Sequence, residues 1–372
     1  MYISTLSLAN FRNYENLEFH PLSGLNILVG LNAQGKSAVL EAIYLLATSK
    51  SHRTSRDLDM IRLGENLTRV CAEIIRSESN DVTLEIILSR TDKKTVKINS
   101  VKHEKIGDIV GQLNTVIFSN TDIDMVRGEP SRRRRFLNLE VSQVSPQYIY
   151  ALGRYKRVLD QRNNLLRDIK FGHGTIGDLQ VWDSQLALYG ATVISRRGKF
   201  VDFLSSAAKK IYSMLTEESE QLGVIYKPNI DIDTFSSEED IAAAFAQSLA
   251  NRRELDVSRG TTTTGPHRDD LILSVNDLPA REYASQGQQR TVAIALKLAE
   301  IDLMEDSTGE SPVVLLDDVM AELDEVRRAR IFELTCNRCQ TLITTTHLSE
   351  LEDGLVSGAS VFEVKSGKVT AK

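Results

Sequence analysis

Long apolar runs are missing from this sequence of 372 residues. None approaches the roughly 18 residues a membrane-spanning helix requires, so no membrane role is expected. The opening stretch MYISTLSLANFRNYE alternates apolar and polar residues, and it lacks the basic start and unbroken apolar run of a signal peptide. Cysteine is scarce: three residues cannot build a disulfide framework, and a reducing, cytoplasmic setting is expected. Internal repeats and low-complexity tracts are also missing. With 41% hydrophobic and 26% charged residues, the composition is that of a folding globular chain. A dominant charge sign is lacking too. The net charge of −6 argues against a surface coated in basic residues, but it leaves room for a local basic stripe. Such a stripe lies between Arg127 and Lys170, where eleven Lys/Arg face four Asp/Glu.

The length exceeds what one hydrophobic core usually serves, so two lobes are expected. The first 50 residues alternate in period two, as strands do, until the helix-periodic SAVLEAIYLLATS. RVCAEIIR, VTLEIILS and KTVKINSV read as further strands. From Gln147 to Lys170, and again from Val181 to Leu215, large residues recur at steps of three and four. The intervening FGHGTIGD is a turn, so the two segments predict an antiparallel helical hairpin. Its first arm, some 24 residues, would be about 36 Å long, a stub and not a rod. A further helix is predicted from Glu238, capped by Ser236 or Ser237, to about Leu255. DLILSVNDLPAREYA suggests a β-hairpin. PVVLLDD and QTLITTTH read as buried parallel strands.

GLNAQGKS, Gly30 to Ser37, fits G-x-x-x-x-G-K-[ST] and lies between the strand LNILV and a helix. Small residues here let the backbone N–H groups of Gly30, Leu31, Asn32, Ala33, Gln34 and Gly35 curl around a phosphate, aided by the helix dipole. Lys36 would reach the β/γ oxygens of ATP, and Ser37 would offer its hydroxyl to Mg²⁺. Asp317, ending PVVLLD, is the candidate second Mg²⁺ ligand, and Asp318 is placed to polarise an attacking water. A bland reading of the pair, capping of the next helix, stays open.

ASQGQQRTVAIALKLAE, residues 284–300, places Ser285, Gln286, Gly287 and Gln288 at the start of a helix where one cap would suffice. The stretch resembles the signature of ATP-binding-cassette proteins, in which a second subunit closes over the γ-phosphate. Ser285 and the Gly287 amide would then donate across a dimer. AELDE, Ala321 to Glu325, would be the loop that follows the carboxylate strand, and His347 the γ-phosphate-sensing residue.

Within that class, 249 residues separate Lys36 from Ser285. That is more than a transport ATPase usually inserts and far less than the long coiled coil of a chromosome-maintenance ATPase. NFRNY, LLATSKSHRT, GEPSRRRRFLN, TGPHRDDL, ASQGQQRT and LLDDVMAELD together resemble the RecF family of recombinational-repair proteins over essentially the whole chain. Three positions depart from its pattern. Ser37 replaces a more usual Thr, Asn138 a common Asp, and FSNTD a Phe-x-Pro-Glu-Asp stretch, which leaves the magnesium-contacting loop near Asn120 unassigned.

The resemblance implies an α/β fold: a P-loop, ABC-type ATPase head with a mixed-sheet lobe (1–118 and 300–372) and a mainly helical lobe (119–299) carrying the hairpin. It also implies a slow ATPase that forms a homodimer on ATP and Mg²⁺, acts at single-strand/double-strand junctions of gapped DNA, and helps RecR and RecO load RecA. Arg12 and Asn13 could contact nucleotide phosphate; a polar strand-end turn is the alternative. Arg132, Arg133, Arg134, Arg135, Lys156 and Arg157 are the DNA candidates, set against a solvated helix start with intramolecular partners. His267, Arg268 and Asp269 are expected to join the lobes by hydrogen bonding. Cys336-x-x-Cys339 has no second pair and reads as ordinary helix positions. A transport ATPase subunit and a nucleotide-gated scaffold with negligible turnover remain the competing classes.

Overall fold

The computed structural model describes residues 1–77, 80–234, 236–320, 323–351, 356 and 358–372. The chain divides into two compact units, Met1–Ile123 with Ala293–Lys372, and Asp124–Val292.

The first unit is built on two six-stranded sheets. One is antiparallel throughout, in the order Tyr14–Phe19, Tyr2–Phe11, Leu67–Ile75, Val82–Ser89, Thr95–Ile98, Val101–His103. Burial along Leu67–Ile75 alternates nearly residue by residue, as expected when one face meets a core. The other sheet is mostly parallel, in the order Lys368–Ala371, Ser360–Lys365, Leu25–Val29, Thr341–Thr345, Val313–Asp317, Thr115–Ser119. Its central strands are largely buried because both faces are covered: Leu25–Val29 and Val313–Asp317 are mainly apolar, and Thr341–Thr345 is buried at every position. The helix Lys36–Thr48 packs against strands of both sheets. All its residues but Ser37 are buried, which explains why KSAVLEAIYLLAT carries no polar face.

The segment KTVKINSV is not one strand. It forms two, Thr95–Ile98 and Val101–His103, joined at Asn99 and Ser100, which both adopt positive φ (49° and 67°). Such a turn matches the twist of a tight hairpin. The expected hairpin in DLILSVND forms in the same way at Asn276 and Asp277.

In the second unit the helical hairpin consists of Pro146–Lys170 and Leu179–Leu215, with a three-stranded sheet beside it in the order Leu278–Pro279, Asp270–Val275, Leu222–Lys227. Tyr155, Leu186, Ile194, Ile241 and Phe245 belong to its core. Arg162 is fully buried between the hairpin arms and donates to Asp183 (2.7 Å), Asp256 (2.8 Å) and Thr262 (2.8 Å). A charge so placed is tolerable only because carboxylates and a hydroxyl satisfy it. The helix expected to reach Leu255 ends sooner: Glu238–Asn251, capped by the Ser237 side chain, breaks at Arg252 and restarts as Arg253–Arg259.

Candidate nucleotide-binding site

The strand Leu25–Val29 runs into the loop Gly30–Gly35 and then the helix Lys36–Thr48. Two glycines of this loop answer different demands. A Cβ on Gly30 would lie 2.2 Å from the Val364 carbonyl oxygen of the adjoining strand. Gly35 has φ +116°, and a Cβ there would meet Asn13 Nδ2 at 2.7 Å and the Tyr14 hydroxyl at 2.8 Å. Only glycine fits both the turn and the close approach. Gly35 is also the N-cap of the helix and offers no side-chain cap, so the first-turn amides are not engaged by a capping side chain.

The loop is braced from outside. Asn13 Nδ2 donates to the Gln34 carbonyl at 2.9 Å, and Tyr14 donates to the Gly35 carbonyl at 3.2 Å. The Ser366 amide donates to Gln34 Oε1 at 2.7 Å. Lys36 Nζ reaches back across the loop to the carbonyls of Gly30 (2.5 Å) and Leu31 (3.0 Å). A cavity of about 630 Å³ opens over this loop, lined in part by Asn32, Ala33, Lys36, Ser37 and Asp318.

Asp317 closes the strand Val313–Asp317 and pairs in register with Thr344 of the neighbouring parallel strand. The Thr344 hydroxyl donates to Asp317 Oδ1 at 3.0 Å and accepts the Asp318 amide at 2.9 Å. His52 Nε2 stands 3.6 Å from Asp317 Oδ2. Burial by itself would raise the Asp317 carboxyl, but the nearby His52 ring and the hydroxyls of Ser37 and Thr344 outweigh it and hold the group below the usual carboxylate range. An ionised carboxylate and a hydroxyl at one point form an oxygen donor set suited to Mg²⁺, which takes few protein ligands and completes its shell with phosphate and water. Among the described residues no cluster of three or more His, Cys, Asp or Glu could hold a metal unaided. Asp318 turns out of the strand line with φ +56°, a conformation Asp tolerates better than most residues.

Other expected residues sit differently. Arg12 lines the cavity, but its guanidinium is forked onto the buried Glu41 (2.8 and 2.6 Å) and the Asp59 carbonyl (2.7 Å). Asn13 acts on the loop backbone, so both fit the strand-end turn better than direct phosphate contact. His347 follows the strand Thr341–Thr345, is exposed, and is not among the side chains lining the cavity. The Ala321 and Glu322 of the expected following loop lie outside the described residues.

Sequence reasoning missed His52, Glu41, Asp59 and Arg90. His52, Arg53 and Thr54 stand in the quoted stretch LLATSKSHRT, and that run of polar side chains directly after a buried helix was the available signal. Asn120 is exposed, whereas Asp122 accepts from the Ser119 amide at 2.7 Å and is raised by burial.

At the second glycine-bearing helix start, Ser285 and Gln288 cap one another. The Gln288 amide donates to Ser285 Oγ at 3.2 Å and the Ser285 amide donates to Gln288 Oε1 at 2.8 Å. This reciprocal pair is a capping box. Gln288 also donates to Glu220 at 2.7 Å, so its side chain, expected on nucleotide, serves its own unit instead. Ser285, Gln286 and Gly287 remain exposed. A Cβ on Gly287 would meet only Ser285 Oγ, at 3.9 Å.

The arginine run is not one surface. Arg133 lies on the buried stripe of the helix Pro130–Val144 with Leu137, Glu140 and Val141. It is bound by both Asp270 oxygens at 2.7 and 2.9 Å, which removes it from the DNA candidates. Arg134 is half-buried and donates to the Asp269 carbonyl at 2.8 Å. Arg132, Arg135, Lys156 and Arg157 are exposed. His267 and Asp269 do not reach across lobes in the bonds they make: Tyr155, Thr262, Arg197, Tyr226 and Asn229, their partners, all belong to the second unit. Cys336 caps a helix end and Cys339 is buried; both are free thiols.

The family model described as RecF/RecN/SMC N terminal domain matches residues 2–370. The DNA replication and repair protein RecF of Alkaliphilus oremlandii is 41% identical over 99% of this chain and 100% of its own length. The chain belongs to the RecF family. The RecF protein of Geobacillus kaustophilus is 38% identical with both chains fully covered. A solved structure of the recombination mediator protein RecF-ATPrS in the RecFOR pathway superposes with TM-score 0.92 at 34% identity, covering 100% of this chain and 98% of that one. An Smc head bound to the C-winged helix domain of ScpA shares the fold at TM-score 0.55 and 16% identity, covering 100% and 98%. The RecF-family fold is therefore that of an ABC-type ATPase head.

Proposed function

We propose that this chain is an ATP-driven DNA-binding switch of recombinational repair and replication, working in the cytoplasm. The unit Met1–Ile123 with Ala293–Lys372 is the ATP-binding lobe, and Asp124–Val292 the lobe that presents the signature. Gly30–Ser37 cradle the phosphates of ATP, Lys36 exchanges its loop carbonyls for β/γ oxygens, and Asp318 orients the attacking water. Ser37 and Asp317 are the residues that would hold Mg²⁺, which when bound neutralises charge on the transferred phosphoryl group. Ser285 and the Gly287 amide of one copy cap the γ-phosphate held by a second copy, and His347 approaches that phosphate only in the closed dimer. ATP thereby acts through its differential affinity for open and closed states. DNA phosphates meet Arg132, Arg135, Lys156 and Arg157, so affinity falls steeply with salt. The switch acts at the junctions of gapped DNA with RecR and RecO and serves RecA loading.

The observation that carries this reading is Gly287, an exposed glycine in a helix's first turn that its own chain does not require. The test measures ATP hydrolysis and DNA retention with and without gapped duplex. Stimulated turnover and ATP-dependent retention are expected. No stimulation and no retention would remove the reading, and retention without turnover would favour the scaffold. Lys36→Ala should abolish nucleotide binding and dimerisation together.

A further inference from the structure

The second unit holds a cavity of about 630 Å³ that none of the preceding roles uses. Arg134, Lys227 and Arg268 line it. Two carboxylates share the wall, and each is already engaged: Asp270 by Arg133, and Glu129 by Arg281 at 2.7 Å. Three cations therefore border a concavity whose negative charges are already paired. The cations are held in place by backbone. Lys227 ends a strand paired in register with Asp270, and the Arg268 amide closes a turn onto the Gly265 carbonyl at 2.8 Å. Arg134 makes one hydrogen bond, to the Asp269 carbonyl. Burial, together with the like charges of Arg197 and Arg268, pulls its pKa below the ordinary value, a cost that an incoming anion would relieve.

The remaining walls select among anions. Ile272 and Pro228 give the cavity an apolar side. A bare carboxylate supplies one negative charge, whereas a phosphate monoester supplies nearly two at neutral pH, with three acceptor oxygens for three donors. The volume also leaves room for an organic group against Ile272 and Pro228.

We propose that this cavity binds a phosphate monoester, held by Arg134, Lys227 and Arg268. The monoester could be the terminal phosphate of a nucleic-acid strand or a free phosphorylated small molecule, and neither source depends on the ATP-binding lobe. The full chain should be titrated with short oligonucleotides that differ only in a terminal phosphate, by fluorescence anisotropy, and with thymidine monophosphate as competitor. The phosphorylated strand should bind about tenfold more tightly or better. Lys227→Gln with Arg268→Gln, both exposed positions, should erase that difference while leaving the unfolding temperature and ATP binding unchanged. Displacement by millimolar thymidine monophosphate identifies a site for free monoesters, and no displacement identifies a strand-end site; either outcome keeps the phosphate chemistry. Equal binding of the two strands together with no binding of thymidine monophosphate, or a phosphate preference that survives the double variant, would overturn the proposal.

Discussion

Two glycines open two helices in this chain, Gly35 before Lys36–Thr48 and Gly287 in the first turn of Gln286–Thr308. The first is dictated from inside. Its φ of +116° and the side chains of Asn13 and Tyr14, within 3 Å of any added Cβ, leave no other choice. The second has no such neighbours and no positive φ. A glycine in a helix costs up to about 1 kcal/mol relative to alanine, and nothing in its own fold offsets that cost. The difference separates a glycine that shapes its own loop from one at which its own chain would admit a side chain.

The largest expected effect breaks the comparison at its internal end. Gly35→Ala should destabilise the protein by about 2–4 kcal/mol through backbone strain and the clash with Asn13 and Tyr14. Nucleotide affinity should fall in the same variant, read by thermal unfolding and by titration. If Gly35→Ala unfolds and binds ATP as the parent does, the two glycines are not different in kind.

A second effect sharpens the comparison by loosening only the unit that carries Gly287. His267 Nε2 lies 3.0 Å from the Thr262 carbonyl, which can only accept, so Nε2 carries the proton and Nδ1 accepts from Tyr155 at 2.6 Å. Burial, aided by the nearby Arg268 and Arg134, pushes the imidazole down to about 4. The unfolded chain takes up this proton near pH 6.5 and the folded one only near 4. The penalty is therefore absent above 6.5, grows as the pH falls between the two values, and reaches about 3 kcal/mol. Urea midpoints between pH 7 and 4 should fall with that slope, and His267→Gln should flatten it. The smallest effect is at the other end. Gly287→Ala should leave the unfolding free energy unchanged or raise it by about 0.5 kcal/mol, while ATP-dependent dimerisation weakens.

The parts of this structure legible in sequence are the contiguous ones. Gly30–Ser37 could be read because strand, loop and helix follow each other within one window. Asp317 could be read because a buried parallel strand announces itself by its apolar run. What escaped depends on pairings across distance. Glu41 looks like any helix residue until Arg12, 29 positions earlier, is seen forked onto it. Ser285 could be read as a helix cap, but Gln288, whose spacing completes a capping box with it, read only as part of a ligand nest. The arginine run is uniform in sequence, but a helix turns successive residues through about 100°, so Arg133 points inward while Arg132 and Arg135 point out. Asn99 and Ser100 hid a hairpin because their strands are too short for a periodic signal.

The central claim is that one ATP is closed over by two chains. Light scattering at saturating ATP and Mg²⁺, on the parent and on Ser285→Arg, tests it most directly. The account predicts a doubled mass for the parent, and a variant that binds ATP as tightly while keeping the mass of a single chain. A parent that stays a single chain, or a variant that dimerises as readily, would contradict it.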